Sequence, residues 1–312
     1  MSLSIKTFLK EFSRNGKGRF SLAILFIFIL FSLYDLIFNP QTPYNFTESF
    51  ALPSLSHPFG TNAFGQDVFL MLIQFTPLTL LMAFSSIVIA LGIGIVVGLI
   101  SGYYTGKWFS YILDRITDAL LGIPLIIFVG WVFLETTPNL LGFIGLIGLT
   151  TWPITAKTVR AYVLVAKEKI YVEASRAAGA SDRHIVFKVI LPEVIPVAIA
   201  SLMYTAALSV LLQAGLAYLG FKRRLGTSEQ QDVPYIFTWG AMLAYSQSMG
   251  ALQVGAWWIL VPPGACLGLL VLAIGMLGST IGECLNPQIQ RRFYALTEIA
   301  KIGRKEIDIE KI

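Results

Sequence analysis

The chain has 312 residues, 55% of them hydrophobic and only 13% charged, with a formal net charge of +5 at pH 7. Soluble domains carry about 25% charged residues, so charge this scarce, gathered between long uncharged runs, excludes an ordinary soluble globule and indicates a polytopic membrane protein. No basic run is interleaved with aromatics, which argues against a nucleic-acid surface.

In chain order, residues 1–19 carry five cations and one acid, with Ile5, Phe8, Leu9 and Phe12 at helical spacing. They read as a cytoplasmic amphipathic segment lying on the inner leaflet, or as a frayed tail. Residues 20–38 form the first predicted span, long enough for a bilayer core of about 30 Å. The following sequence offers no small-residue cleavage site, so an uncleaved anchor is expected rather than a signal peptide. Residues 39–76 are expected outside: a loop rich in Pro, Asn and Ser, then a short helix near Val68 to Phe75. A second span is expected at about Pro77 to Ser101, where Gly92, Gly94 and Gly98 would let a neighbouring helix approach closely.

The third predicted span, about Ile112 to Leu134, holds Asp114, Arg115 and Asp118 in its first turns. The two acids are four apart and share a face, and Arg115 can pair with one of them. The fourth span runs from about Leu140 to Val159, the fifth from Pro192 to about Leu219, and the sixth from about Gly255 to Cys284. Between the last two lies an external region, 220–255, with an uncharged piece, Phe237 to Met249, long enough to dip into the membrane without crossing. Residues 77–290 thus make a five-helix core and 291–312 a cytoplasmic tail. Cys266 and Cys284 are 18 residues apart in one apolar run, about 27 Å along a helix, so they cannot bridge within it. No metal site is expected.

With the N-terminus inside, the inner segments carry 5, 2, 7 and 6 Lys and Arg residues, and the outer loops only Lys222, Arg223 and Arg224. That bias predicts six spans with both termini cytoplasmic. The fold class expected is therefore all-α and polytopic.

The stretch 167–192, KEKIYVEASRAAGASDRHIVFKVILP, is polar and basic between two apolar runs. Lys167 to Ala178 has strong helix formers and a hydrophobic stripe of Ile170, Ala174, Ala177 and Ala178, whose small residues would allow close backbone packing. Gly179 can supply the left-handed turn that closes a helix. Ser181 and Asp182 can cap a second one, and Pro192 can open the next span. A cytoplasmic helical hairpin is expected, either an ordinary loop or a docking element. Within the fifth span, Tyr204, Ser209 and Gln213 are polar candidates for a solute pathway, or for hydrogen bonding between helices.

Glu173-Ala174-Ser175, Gly179, Val189 and Leu191-Pro192 stand at the spacings of the cytoplasmic signature of binding-protein-dependent ABC importer permeases, with Ser175 and Val189 as mild departures. His57-Pro58-Phe59-Gly60-Thr61 through Gly65-Gln66-Asp67-Val68 resembles the external signature of the dipeptide/oligopeptide/nickel group's second (C-type) permease. There Asn62 replaces the usual Asp and Gln66 the usual Arg. Trp152-Pro153, Tyr218-Leu219-Gly220, Trp239-Gly240-Ala241-Met242 and Leu285-Asn286-Pro287 extend the resemblance over roughly residues 20–290.

The resemblance implies a type I ABC importer architecture in a prokaryotic cell (inner) membrane. This chain would be one half of a heterodimeric pathway, partnered by a homologous permease, two ABC ATPase subunits and an extracytoplasmic solute-binding protein. ATP and Mg would belong to the ATPases, since this chain lacks a phosphate-binding loop of the form G-x-x-x-x-G-K-[ST] and is not expected to be an enzyme. Glu173, Ala174, Ser175, Gly179, Asp182, His184, Leu191 and Pro192 would carry the coupling to the ATPase. Oligopeptide is the first expectation for cargo, a short oligosaccharide the second, and nickel is a further cargo of similar proteins. An ion-coupled secondary transporter is the rival class. Such proteins place ionisable residues near the bilayer midplane, whereas Asp35, Asp114, Asp118, Glu135 and Glu283 fall near predicted span ends.

Overall fold

The computed structural model describes residues 11–136, 140–218 and 238–285. The distal part of the N-terminal segment, the cationic loop at 222–224 and the 291–312 tail lie outside the described residues. Apart from the looped segment 39–67 and short connections, the described residues are helical, with one isolated bridge, Thr61 to Asp67, and no strand.

Helix α1 spans Gly16–Phe38, α2 Val68–Tyr103, α3 Trp108–Gly122, α4 Leu125–Thr136 and α5 Leu140–Ala166. A short helix, α6, spans Ile170–Ala177, α7 spans Leu191–Tyr218, α8 Trp239–Ser248 and α9 Val261–Leu285. Among the described residues five helical segments are long and apolar enough to cross a membrane: Gly16–Phe38, Val68–Tyr103, Leu140–Ala166, Asp182–Leu216 and Trp257–Cys284.

Two expectations need correction. The short helix at Val68 to Phe75 and the span after it are one 36-residue helix, α2, with Pro77 inside. Proline removes the N–H that would otherwise reach Ile73 O and crowds the preceding turn, yet the helix continues through it. Leu72 O accepts from Thr76 Oγ1 at 2.7 Å and from Trp239 Nε1 at 2.9 Å. The third span, expected to be continuous from Ile112 to Leu134, is broken into α3 and α4. Ile123 is extended (φ −84°, ψ 129°), as the residue before a proline prefers. Pro124 then starts α4, its carbonyl accepting from Ile127 N and Phe128 N.

The packing fixes the directions. Phe31 of α1 meets Phe69 at the start of α2, so these two are antiparallel. Helices α2 and α5 run parallel, because a Cβ added at Gly94 would meet Thr155, at Gly98 Ala156 O and Val159, and at Gly102 Val163. The expected close approach is therefore real at Gly94 and Gly98 and continues to Gly102. A Cβ at Gly92 would meet nothing within 4 Å, so Gly92 takes no part. Helix α7 returns antiparallel to both, Ser86 Oγ donating to Ser209 Oγ at 2.9 Å while Thr155 and Thr205 hydroxyls lie 3.5 Å apart. Helix α9 descends beside α7, with Gly278 against Met203 and Gly282 against Ala200.

The ions of α3 are spoken for by α5, not by their own helix. Arg160 Nη2 lies 2.7 Å from Asp114 Oδ2 and Lys157 Nζ 2.6 Å from Asp118 Oδ1. Arg115, expected to pair with one of those acids, instead lies over the Tyr111 ring, 4.7 Å from its centroid. Asn15 at the start of α1 donates to Glu283 Oε2 near the end of α9 at 3.0 Å. The start of α1, the ends of α2, α5 and α9, and the start of α7 thus share one end of the molecule.

Candidate functional site

At that shared end stands the hairpin predicted from sequence. Lys169 caps α6 in an extended conformation, and the helix closes after Ala177. Ala180 N–H donates to Ser175 O at 3.1 Å and Gly179 N–H to Arg176 O at 3.0 Å, with Gly179 at φ +83°. These are the two bonds of a Schellman closure, which needs a residue comfortable in the left-handed region. Ser181 Oγ then accepts from His184 N at 3.3 Å and opens the second arm, Asp182–His184. This arm runs through a π-helical turn, Ile185–Ile190, into α7.

One side of the hairpin is anchored. Val172, Ile185, Val186 and Ile190 are buried against Leu99 and Tyr103 of α2, Val159 and Val163 of α5, and Val194 of α7. Each such burial is worth on the order of 1.5–3 kcal/mol relative to exposure in water. Polar ties sit at the edges. Tyr103 Oη donates to Asp182 Oδ1 at 2.5 Å. Lys169 Nζ contacts Glu193 Oε1, and Tyr171 Oη contacts Glu193 Oε2. Burial pulls the Lys169 ammonium down, but the Glu193 carboxylate beside it more than offsets this and holds it above the ordinary lysine range. Burial, then the bond to Glu193, pushes the Tyr171 phenol up to about 12.

The other side faces outward. Ile170 is 84% exposed, and Glu173, Ala174, Arg176, Ala177, Ala178 and Gly179 are also exposed. Phe187 is 54% exposed on the second arm. The stripe read from the sequence is therefore the uncovered face, while Val172, absent from that reading, is what holds the hairpin down. Of the coupling candidates, Glu173, Ala174, Gly179, Asp182, His184 and Pro192 are exposed, and Ser175 and Leu191 are half-buried. Sequence reasoning missed Tyr103, Lys169, Tyr171 and Glu193. The available signal was Glu193 itself, an acid one residue past the segment's boundary in the first turn of α7.

At the opposite end, the 39–67 segment folds into a cap over the start of α2. Asp67 Oδ1 accepts from Phe69 N at 2.7 Å and Leu70 N at 3.0 Å, as a helix N-cap does. Its other oxygen is 2.8 Å from His57 Nδ1, and His57 Nε2 is 3.3 Å from Glu48 Oε2. The hydrogen bond to Asp67 is the main reason the imidazole is held above its ordinary range, with Glu48 adding to it against a desolvation cost. Trp258 Nε1 donates to Thr61 O at 3.1 Å, tying the cap to the approach of α9. Asn62 and Gln66, the two departures from the resembled signature, meet: Asn62 Nδ2 donates to Gln66 Oε1 at 3.0 Å. The two positions are thus joined by a neutral amide hydrogen bond.

The pathway candidates on α7 separate. Ser209 and Gln213 belong to a stripe of Ser201, Thr205, Ser209 and Gln213 at every fourth residue. Ser209 is fully buried, and Gln213 is 3% exposed with neither amide atom hydrogen-bonded among the described residues. Tyr204 lies off that stripe and is 62% exposed. Among the described residues no group of three His, Cys, Asp or Glu side chains is placed to hold a metal.

Comparison with known proteins completes the description. A relative from Brucella suis biovar 1 (strain 1330), which carries a provisional peptide-permease name, is 31% identical over 283 residues, covering 90% of each chain. The dipeptide transport system permease protein DppC of Alkalihalophilus pseudofirmus is 30% identical over 286 residues, 90% of this chain and 89% of its own. Among solved structures, an inward-facing conformation of the MetNI methionine ABC transporter aligns with a TM-score of 0.56 at 22% identity, over 69% of this chain and 96% of its own. That likeness carries the fold. The family described as binding-protein-dependent transport system inner membrane component matches residues 94–291, a stretch that takes in the hairpin and the helices clamped to it. The chain belongs to that family and is a membrane-embedded permease subunit of an ABC importer.

Proposed function

We propose that this subunit forms one half of a heterodimeric pathway with a homologous permease and imports oligopeptides received from an extracytoplasmic solute-binding protein. The energy enters through the hairpin from two ABC ATPases, which hold the ATP and Mg. The hairpin end faces the cytoplasm of a prokaryotic cell, with both termini on that side. Helices α3 and α4 together make one crossing of six. The observation that carries this reading is the two-sidedness of the hairpin: Val172, Ile185, Val186 and Ile190 are buried, while Ile170 and the alanines of α6 are uncovered. A surface of that kind suits a cleft on a second protein. The peptide-transport names of its relatives favour peptide over oligosaccharide as cargo.

Helix α3 speaks against ion coupling, since Asp114 and Asp118 already have cationic partners on α5. Tyr204, exposed on α7, is the first pathway residue to test; Ser209, hydrogen-bonded to Ser86 of α2, and Gln213 are buried and become accessible only if α7 moves.

The decisive test places a cysteine at Ala178, in a chain whose Cys266 and Cys284 are replaced by serine, and seeks a cross-link to a co-expressed ATPase subunit. A cross-link that changes with nucleotide is expected. Its absence, with the cysteine open to a water-soluble maleimide in the intact membrane complex, would overturn the reading. Glu173→Lys is expected to leave membrane insertion intact while uncoupling ATP hydrolysis from uptake of a labelled pentapeptide.

A further inference from the structure

The second arm of the hairpin and α7 form one continuous rod with an irregular joint. Between Asp182–His184 and α7 the chain widens into the π-helical turn Ile185–Ile190, where Leu191 N–H reaches back to Val186 O. Pro192 follows at once and Pro196 one turn later, and neither has an N–H to give. A widened turn followed by two missing donors is the place where a rod of this kind bends most easily.

One carboxylate spans the joint. Glu193 lies beyond it, in the first turn of α7, while Lys169 and Tyr171 lie before it, at the start of α6. The carboxylate is divided, Oε1 to the Lys169 ammonium and Oε2 to the Tyr171 hydroxyl. The ammonium also stands over the rings of Tyr162 on α5 and Tyr171, at 5.6 and 5.7 Å from their centroids. Three elements, α5, α6 and α7, converge on this contact. The other polar tie, Tyr103 to Asp182, ends on the hairpin side and does not cross the joint.

We propose that Glu193 is a positioning residue that latches this joint, so that a displacement of the hairpin reaches α7 instead of being absorbed by bending at Ile185–Ile190. The inference rests on the hairpin being the point of energy input. The apolar anchor of Val172, Ile185, Val186 and Ile190 holds the hairpin in place without the latch. Loss of Glu193 therefore alters how motion is transmitted, not whether the subunit assembles.

The test uses the whole importer, with its second permease, ATPases and binding protein, in lipid nanodiscs. Spin labels are placed at Arg183→Cys on the hairpin and Leu211→Cys on the outward face of α7, with Cys266 and Cys284 replaced by serine. In the parent complex the label–label distance is expected to be narrow and unchanged between nucleotide-free and ATP–vanadate-trapped states. Glu193→Gln, and separately Lys169→Met with Tyr171→Phe, are expected to broaden it. Stimulation of ATP hydrolysis by the binding protein should fall about fivefold, the lower end of typical coupling between sites. The exchange Lys169→Glu with Glu193→Lys should restore the narrow distribution, and Tyr103→Phe should leave it untouched. A merely structural role would lower the amount of complex and leave the stimulation ratio and the distance alone. A narrow distance and full stimulation in both latch variants would overturn the proposal. Failure of the Ala178 cross-link in the parent complex would instead remove the reading beneath it.

Discussion

At the two ends of α2 stand a cap and, packed against its last turns, the hairpin; each turns on a glycine with positive φ, and they differ in kind. The cap at its start is closed on itself. Gly65 has φ +71°, and a Cβ there would fall 1.7 Å from Asn45 O; Gly60 has φ +64°, with Ala51 O at 2.6 Å. At the far end, Gly179 also has a positive φ, yet a Cβ on it would meet nothing within 4 Å. The first turn is over-determined by its own chain. The second uses glycine only for its backbone, and its open side is where a partner would sit.

The sharpest way to break this comparison is Gly65→Ala. With backbone in the way, the cap must reopen, and a loss of more than about 3 kcal/mol is expected. It should appear as failure of the full-length protein to accumulate in the membrane. Next comes the amide pair. Asn62→Asp alone puts a charge at a buried position and Gln66→Arg alone at a half-buried one, and each should cost about 1–3 kcal/mol. The double variant should recover most of that in a double-mutant cycle read by thermal unfolding in detergent; an additive result would show that the two side chains act independently. Gly179→Ala is expected to cost only about 1–2 kcal/mol, the penalty of a left-handed residue with a side chain. A loss as large as that of Gly65→Ala would erase the distinction between the turns.

The smallest effect is on pH. The folded cap raises the His57 pKa above 6.5. The stabilisation from the charged ring is then complete below about pH 6.5 and is lost as pH climbs through the raised value. His57→Gln should flatten that dependence, followed as hydrogen-exchange protection of the Phe69 and Leu70 amides, which Asp67 caps. A parent protein whose protection grows as pH rises through this interval would have the wrong sign.

Much of the fold was legible because lipid and helix geometry leave few choices. The apolar runs are helical, and the Gly179 closure was readable from a glycine after a run of helix formers. What sequence hid were the effects of proline in context. Pro77 sits inside a helix, whereas Pro124 divides a span. Nothing local distinguishes the two. Partners distant in sequence were hidden in the same way. Arg115 looked able to pair with one of the two acids of its own helix, but Arg160 and Lys157 of α5 take both. Gly92 and Gly94 were equivalent on paper, and only the parallel packing of α5 separates them.

The serine and threonine stripe on α7 has a mechanical corollary. Ser86 Oγ reaches Ala83 O as well as Ser209, Ser209 Oγ reaches Thr205 O, and Thr205 Oγ1 reaches Ser201 O. Each hydroxyl has one proton and an acceptor in its own helix. If α7 slides away from α2 and α5, these groups turn back to their own carbonyls and leave nothing stranded. Such a seam behaves as a lubricated bearing: it holds two rods in register at rest and lets them part with little friction.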